Sequence, residues 1–168
     1  MSLVSRVVGA AAVLALAAGG AAVVARPASA SRAPACFAPH LRMVRAGTEG
    51  ALSHRYVKLW ITNTGRDACR LYGYPTFEYR DAAGHRVGVR SKPAGVRARA
   101  VTLAPGQHTR VTLGYVVPVV TLRRQCRPAR VASVDVRLAF RPHVYQRPLQ
   151  VRVCTTKLYR PVAYPAGF

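Results

Sequence analysis

Acidic side chains are nearly missing from this chain. Glu49, Asp67, Glu78, Asp81 and Asp135 are the only five in 168 residues, against 26 Lys and Arg, and the formal charge is +21. Chemistry that needs two carboxylates facing one cleft therefore has little to draw on. Clustered metal ligands are absent too, since no Cys-x-x-Cys or His-x-x-x-His spacing occurs and His40 and Cys36 stand apart from other ligands, so no metal site is expected. No Gly-x-Ser-x-Gly elbow, phosphate-cradling glycine loop or dinucleotide fingerprint is present. Ser53 and His54 are adjacent, and neighbours on a strand point to opposite faces. His40, His54, His85, His108 and His143 are scattered along the chain. No catalytic residue and no cofactor is assigned, and the chain is expected not to be an enzyme.

Disorder is excluded by the other half of the composition. Hydrophobic residues make up 51 % of the chain, enough apolar surface to offset the entropy of ordering. The apolar residues fall into two kinds of segment. The first is N-terminal. Met1 to Arg6 carries a single positive side chain, Val7 to Ala25 is apolar, and Ala28-Ser29-Ala30 has the small-x-small form that signal peptidase accepts. Residues 1–30 are expected to be a signal peptide cleaved after Ala30. The competing reading is a retained anchor, and Gly9, Gly19 and Gly20 weaken it; an apolar run of about 19 residues lies near the lower limit for a span. Lipidation at Cys36 is discounted, because Ala33-Pro34-Ala35 is a poor lipobox far from the apolar run. Cleavage removes Arg6 and Arg26 and leaves 24 basic and 5 acidic side chains, a net +19, in 138 residues. Residues 31–168 are long enough for one packed domain.

The second kind alternates with a period of two, the signature of strands half buried in a sheet. Val57, Leu59 and Ile61 alternate with Tyr56, Lys58, Trp60 and Thr62 before the turn Asn63-Thr64-Gly65. Val111, Leu113, Tyr115 and Val117 alternate likewise, as do Val134, Val136, Leu138 and Phe140, and Leu149, Val151 and Val153. Leu71 to Arg80 reads as a strand interrupted at Pro75. Asp81-Ala82-Ala83-Gly84 reads as a hairpin loop before a strand from His85 to Arg90, Ala104-Pro105-Gly106 as a turn, and Lys157 to Tyr164 as a last short strand. No mature segment carries a helical stripe of useful length. Roughly seven to nine short strands predict an all-β, antiparallel β-sandwich, with a small barrel as the alternative.

Cys36, Cys69, Cys126 and Cys154 all lie after the leader, in keeping with an oxidising compartment. Four cysteines allow three connectivities; the expectation adopted pairs sequence neighbours, Cys36–Cys69 and Cys126–Cys154.

Several landmarks occur together: Cys36, Leu59-x-Ile61-Thr62-Asn63-Thr64-Gly65, Cys69-x-Leu71-x-Gly73-Tyr74-Pro75, Gly84, Val101-Thr102-Leu103-Ala104-Pro105-Gly106, Cys126 and Cys154. Their order and spacing resemble the exported actinobacterial family called domain of unknown function 4232 over nearly the whole mature chain. The resemblance implies an immunoglobulin-like sandwich, secreted or held at the cell envelope, and implies no activity. The strong positive charge departs from the common form of that family. Asn63 and Gly73-Tyr74-Pro75 are read as residues that form the fold.

Charge is the remaining functional signal. Of the basic residues, 23 are Arg. A codon bias toward Arg accounts for Arg over Lys and leaves the shortage of Asp and Glu unexplained. A domain so charged attracts polyanions, and guanidinium forks match phosphate in bidentate fashion. Two runs are densest: Arg86, Arg90, Lys92, Arg97 and Arg99, and Arg123, Arg124, Arg127 and Arg130 around Cys126. These are the candidate polyanion contacts. Trp60, Tyr72 and Tyr74, with Tyr79, offer stacking surfaces, with core filling the expected role of most. The expectation is a monomeric, non-enzymatic envelope module for anionic wall polymer or anionic lipid surface. It includes no sequence-specific recognition of nucleic acid, for which no reading motif appears. The alternative is a protein–protein module or inhibitor that uses loops or a free edge strand.

Overall fold

The computed structural model describes residues 33–50, 52–119, 123–139 and 143–167, without the side chains of Arg123 and Arg124. The expected signal peptide lies outside the described residues. In chain order the strands are β1 (Leu41–Glu49), β2 (His54–Asn63), β3 (Cys69–Leu71), β4 (Thr76–Arg80), β5 (Arg86–Val87), β6 (Lys92–Pro93), β7 (Val101–Leu103), β8 (His108–Val116), β9 (Pro128–Arg137), β10 (Val144–Cys154) and β11 (Val162–Tyr164). Among the described residues, helix is confined to one turn at Arg123–Cys126 and two 3-10 turns at Ala38–His40 and Lys157–Tyr159.

The strands form a five-stranded sheet ordered β1-β2-β8-β11-β6, a four-stranded sheet ordered β10-β9-β4-β5, and the ribbon β3-β7. Pairing is antiparallel except for β11 with β6. The predicted alternation in β2 is what builds the core: Val57, Leu59 and Ile61 are buried, and they join Val111, Leu113, Phe77, Tyr79, Val134, Val136, Leu149 and Val153 in one apolar cluster drawn from both large sheets. Each such side chain contributes about 1.5–3 kcal/mol relative to exposure.

Both expected disulfides are present. Cys36–Cys69 has a Cα–Cα distance of 4.7 Å and Cys126–Cys154 one of 4.6 Å. The first ties the segment before β1 to β3, where Cys36 N–H donates to Arg70 O at 3.1 Å and Arg70 N–H to Pro34 O at 2.7 Å. The second sits in a satellite cluster with Val116 and Tyr159.

The strand count differs from expectation in instructive places. β1 was not foreseen, because its register shifts between Arg45 and Gly47 and so breaks the alternation begun by Leu41 and Met43. The stretch Leu71 to Arg80 splits in two around Gly73, whose φ of 77° leaves the extended region. The strand after the Asp81 hairpin is only two residues long, since Gly88 turns the chain at φ 71°. The hairpin itself is as read: Asp81 Oδ1 accepts from Ala83 N–H and His85 N–H at 3.0 and 2.8 Å. At the C-terminal end, strand covers only Val162–Tyr164, after a 3-10 turn. Asn63 is buried, and its side chain donates to Asp67 O at 2.8 Å and Leu103 O at 2.9 Å while accepting from Gly65 N–H at 2.9 Å. It is a fold-forming residue, joining the turn after β2 to β7.

Core filling holds for Tyr79 and not for the other stacking candidates. Trp60 is only half buried and meets the His108 ring edge-on at 4.6 Å, and Tyr72 is exposed. The Tyr79 hydroxyl, by contrast, is buried and meets no partner among the described residues; burial pushes its pKa well above 10. A buried hydroxyl without a partner costs about 1–3 kcal/mol. Tyr79→Phe is therefore expected to unfold at a urea midpoint equal to or higher than that of the wild type. A drop would mean that the hydroxyl is satisfied.

Candidate functional site

Alternation in β4 places Phe77 and Tyr79 in the core and turns Glu78 and Arg80 to the other face. Register then sets Glu78 directly opposite Asp135 of β9. Two carboxylates side by side on a sheet repel, yet both are buried, with side chains 4 % and 8 % exposed. Three guanidinium groups account for this. Arg90 donates Nε to Glu78 Oε1 at 2.7 Å and brings Nη2 to 2.6 Å of the same oxygen. Arg137 Nη1 donates to Glu78 Oε2 at 2.5 Å. Arg80 Nε donates to Asp135 Oδ2 at 2.8 Å and holds Nη2 at 3.6 Å from Glu78 Oε2. Burial pushes the Glu78 pKa up, but the hydrogen bonds and charges of Arg137 and Arg90 prevail and hold it below its ordinary value of 4.5. Glu78 thus stays ionised at neutral pH, which suits it to anchoring arginines and not to donating a proton.

Two of the other three acids are paired as well. Glu49 pairs with Lys58, and Asp81 lies 3.5 Å from His85 Nδ1. Among the described residues, no group of three His, Cys, Asp or Glu is placed to hold a metal ion.

The structure separates the first run of candidate contacts. Arg86 projects from β5 in the four-stranded sheet, next to Arg80 in register, whereas Lys92 lies in β6 of the five-stranded sheet. Arg90 sits between them with its fork on Glu78 and its carbonyl accepting from Arg160 Nε at 2.6 Å. Arg97 and Arg99 are exposed on the irregular segment before β7. In the second run, Arg127 and Arg130 are exposed, and the side chains of Arg123 and Arg124 lie outside the described residues. The turn that carries this run is firmly held. Besides the disulfide, Thr155 N–H donates to Cys126 O at 2.9 Å, Thr155 Oγ1 to Arg127 O at 2.7 Å and Thr156 Oγ1 to Gln125 O at 3.0 Å.

Arg152 was not among the candidate contacts. It lies in β10 directly opposite Arg130 of β9. Directly opposed residues of an antiparallel pair share one face, and both arginines are exposed. Among the described residues neither meets a carboxylate. They border an open depression of about 740 Å³ whose walls include the Asp81 hairpin.

These features define a class: an all-β domain, closed by two disulfides, whose two buried acids are covered by arginines and whose surface is left cationic. The family can be stated as well. The sequence model of the family described as domain of unknown function DUF4232 matches residues 36–158, and the chain belongs to that family. No curated protein and no solved structure matches the chain.

Proposed function

We propose that the chain is an exported, non-enzymatic binding module of the cell envelope. In this reading residues 1–30 are a cleaved signal peptide, residues 31–168 are one monomeric immunoglobulin-like sandwich, and the arginine-rich surface rests on an anionic envelope polymer. One observation carries it. Glu78 and Asp135 are buried under Arg80, Arg90 and Arg137, so the exposed arginines elsewhere have almost no acids left to pair with. A surface of that kind raises the local concentration of polyanions and binds them through salt-sensitive phosphate contacts. The two disulfides fit an oxidising compartment outside the cytoplasm.

Charge also appears on the five-stranded sheet, at Arg42 and Lys92, so total charge does not by itself mark one face. The β10 edge is blunted against strand addition. Pro148 and a register shift interrupt β10, and Arg147 Nε donates across to Met43 O of β1 at 2.9 Å. This favours polymer binding over a partner captured by its backbone.

Co-sedimentation of the oxidised mature chain with purified wall fragments tests the proposal. Retention is expected at about 50 mM salt and a loss of tenfold or more by about 200 mM, since each phosphate contact releases counterions. Fragments stripped of their phosphodiester polymer are expected to retain little. Equal retention by stripped fragments, or partition into anionic vesicles alone, would contradict it.

A further inference from the structure

We propose that Arg130 and Arg152 form a phosphate-binding pair at the open end of the four-stranded sheet, taking successive phosphates of a linear phosphodiester or polyphosphate chain. This rests on the polyanion reading and deepens it by naming the place. The four-stranded sheet carries arginines in two different states. Toward β4, Arg80, Arg90 and Arg137 are locked onto Glu78 and Asp135. Toward the start of β9, Arg130 and Arg152 stand opposite one another with no carboxylate partner among the described residues.

Like charges directly opposed across a ladder destabilise a sheet. Such a breach of local consistency, left without internal compensation, is characteristic of functional sites. The pairing also depends on an irregularity. Ser133 faces Pro148, and that register continued would set Arg152 opposite Ala129. The shift between Pro148 and Val151 sets it opposite Arg130 instead. Bulges of this sort serve to re-aim side chains near sites.

The surroundings fit an extended anion. Ala82, Ala83 and Ala132 keep the depression open, and Gln150 adds an amide donor beside the arginines. Asp81 is the one carboxylate in the wall, and its oxygens are turned to the hairpin amides and His85. Two guanidinium forks side by side can each take a phosphate in bidentate fashion.

The test is equilibrium binding of short-chain inorganic polyphosphate to the oxidised mature protein, with R130Q/R152Q and R42Q/R66Q, a pair of exposed arginines outside the depression, compared at equal charge removal. R130Q/R152Q is expected to lose tenfold or more in affinity and to lower the salt slope by about 2, one for each lost contact. R42Q/R66Q is expected to stay within about threefold of wild type, because it removes the same charge away from the pair and screened from it by salt. R130Q/R152Q should melt no lower than wild type, because a repulsive pair has been removed, and polyphosphate should raise its melting temperature by less than it raises that of the wild type. Equal losses in the two variants would overturn the site and leave the general polyanion reading standing. Failure of wild type to bind polyphosphate would overturn both. Dependence on Arg130 and Arg152 seen only with phosphatidylglycerol vesicles would overturn the polymer assignment in favour of lipid headgroups.

Discussion

Replacing Cys36 and Cys69 together by alanine is expected to lower the thermal midpoint of the mature domain by roughly 10 °C, given a few degrees per kcal/mol for a domain of this size. The bridge spans 33 residues, and closing a loop of that length restricts the unfolded chain by about 3–4 kcal/mol. The folded side of the balance changes as well. The bridge fixes the segment that pairs with Arg70 through Ala35, and β1 begins five residues after Cys36. Loss of the crosslink is therefore expected to free the residues before β1 first. Hydrogen exchange should show lost protection at the backbone amide of position 36 and at Arg70 N–H before the amides of β2 and β8 respond. Removing Cys126 and Cys154, which are 28 residues apart, is expected to cost a similar amount and to loosen the Arg127 turn instead. Unchanged midpoints in both variants would mean that the crosslinks do not hold the fold.

Glu78→Gln is expected to give the largest loss from a single substitution at the surface cluster. It leaves Arg90, Arg137 and Arg80 gathered around one remaining carboxylate, Asp135. Breaking a fully buried ion pair costs about 3–5 kcal/mol. Here Arg90 is more than half exposed and Arg137 about a third, so solvent screens part of the repulsion, and about 1–3 kcal/mol is expected at neutral pH. The effect carries a pH signature. The Glu78 pKa is lower in the folded chain than its ordinary 4.5. Its stabilisation is therefore complete above that value and is lost as pH falls through the folded-state pKa. Urea midpoints of wild type and E78Q should differ clearly at pH 7 and draw together as the pH falls below the ordinary value of 4.5 and through the folded-state pKa. A difference that persists unchanged at pH 3 would point to lost packing instead of lost charge.

How much of this was legible in the sequence follows from the range of each signal. The core of β2 was readable because Val57, Leu59 and Ile61 keep an unbroken period of two over a strand without bulges. β1 was hidden because one extra residue at Arg45/Gly47 erased the same period. The disulfide pairing of neighbours held. The outward placement of Glu78 and Asp135 was also readable from alternation, but their burial was not. The arginines that cover Glu78 come from 12 and 59 residues away, and no local pattern reports such a contact. The same holds for Arg130 and Arg152. Their opposition is set by a register shift in β10 that places one residue more against β9, and composition counts arginines without pairing them. Charge density along the chain pointed to Arg86 to Arg99, where the fold instead sets Arg86 and Lys92 in different sheets and turns the Arg90 fork onto Glu78.

The most direct test of the account is the dependence of polyphosphate affinity on salt for the oxidised wild-type chain. Electrostatic release of counterions predicts a straight fall of log K with log salt concentration, with a slope of about −2 or steeper if at least three phosphates are engaged. A slope near zero would contradict the account, since a cationic surface that binds phosphate cannot be indifferent to competing ions.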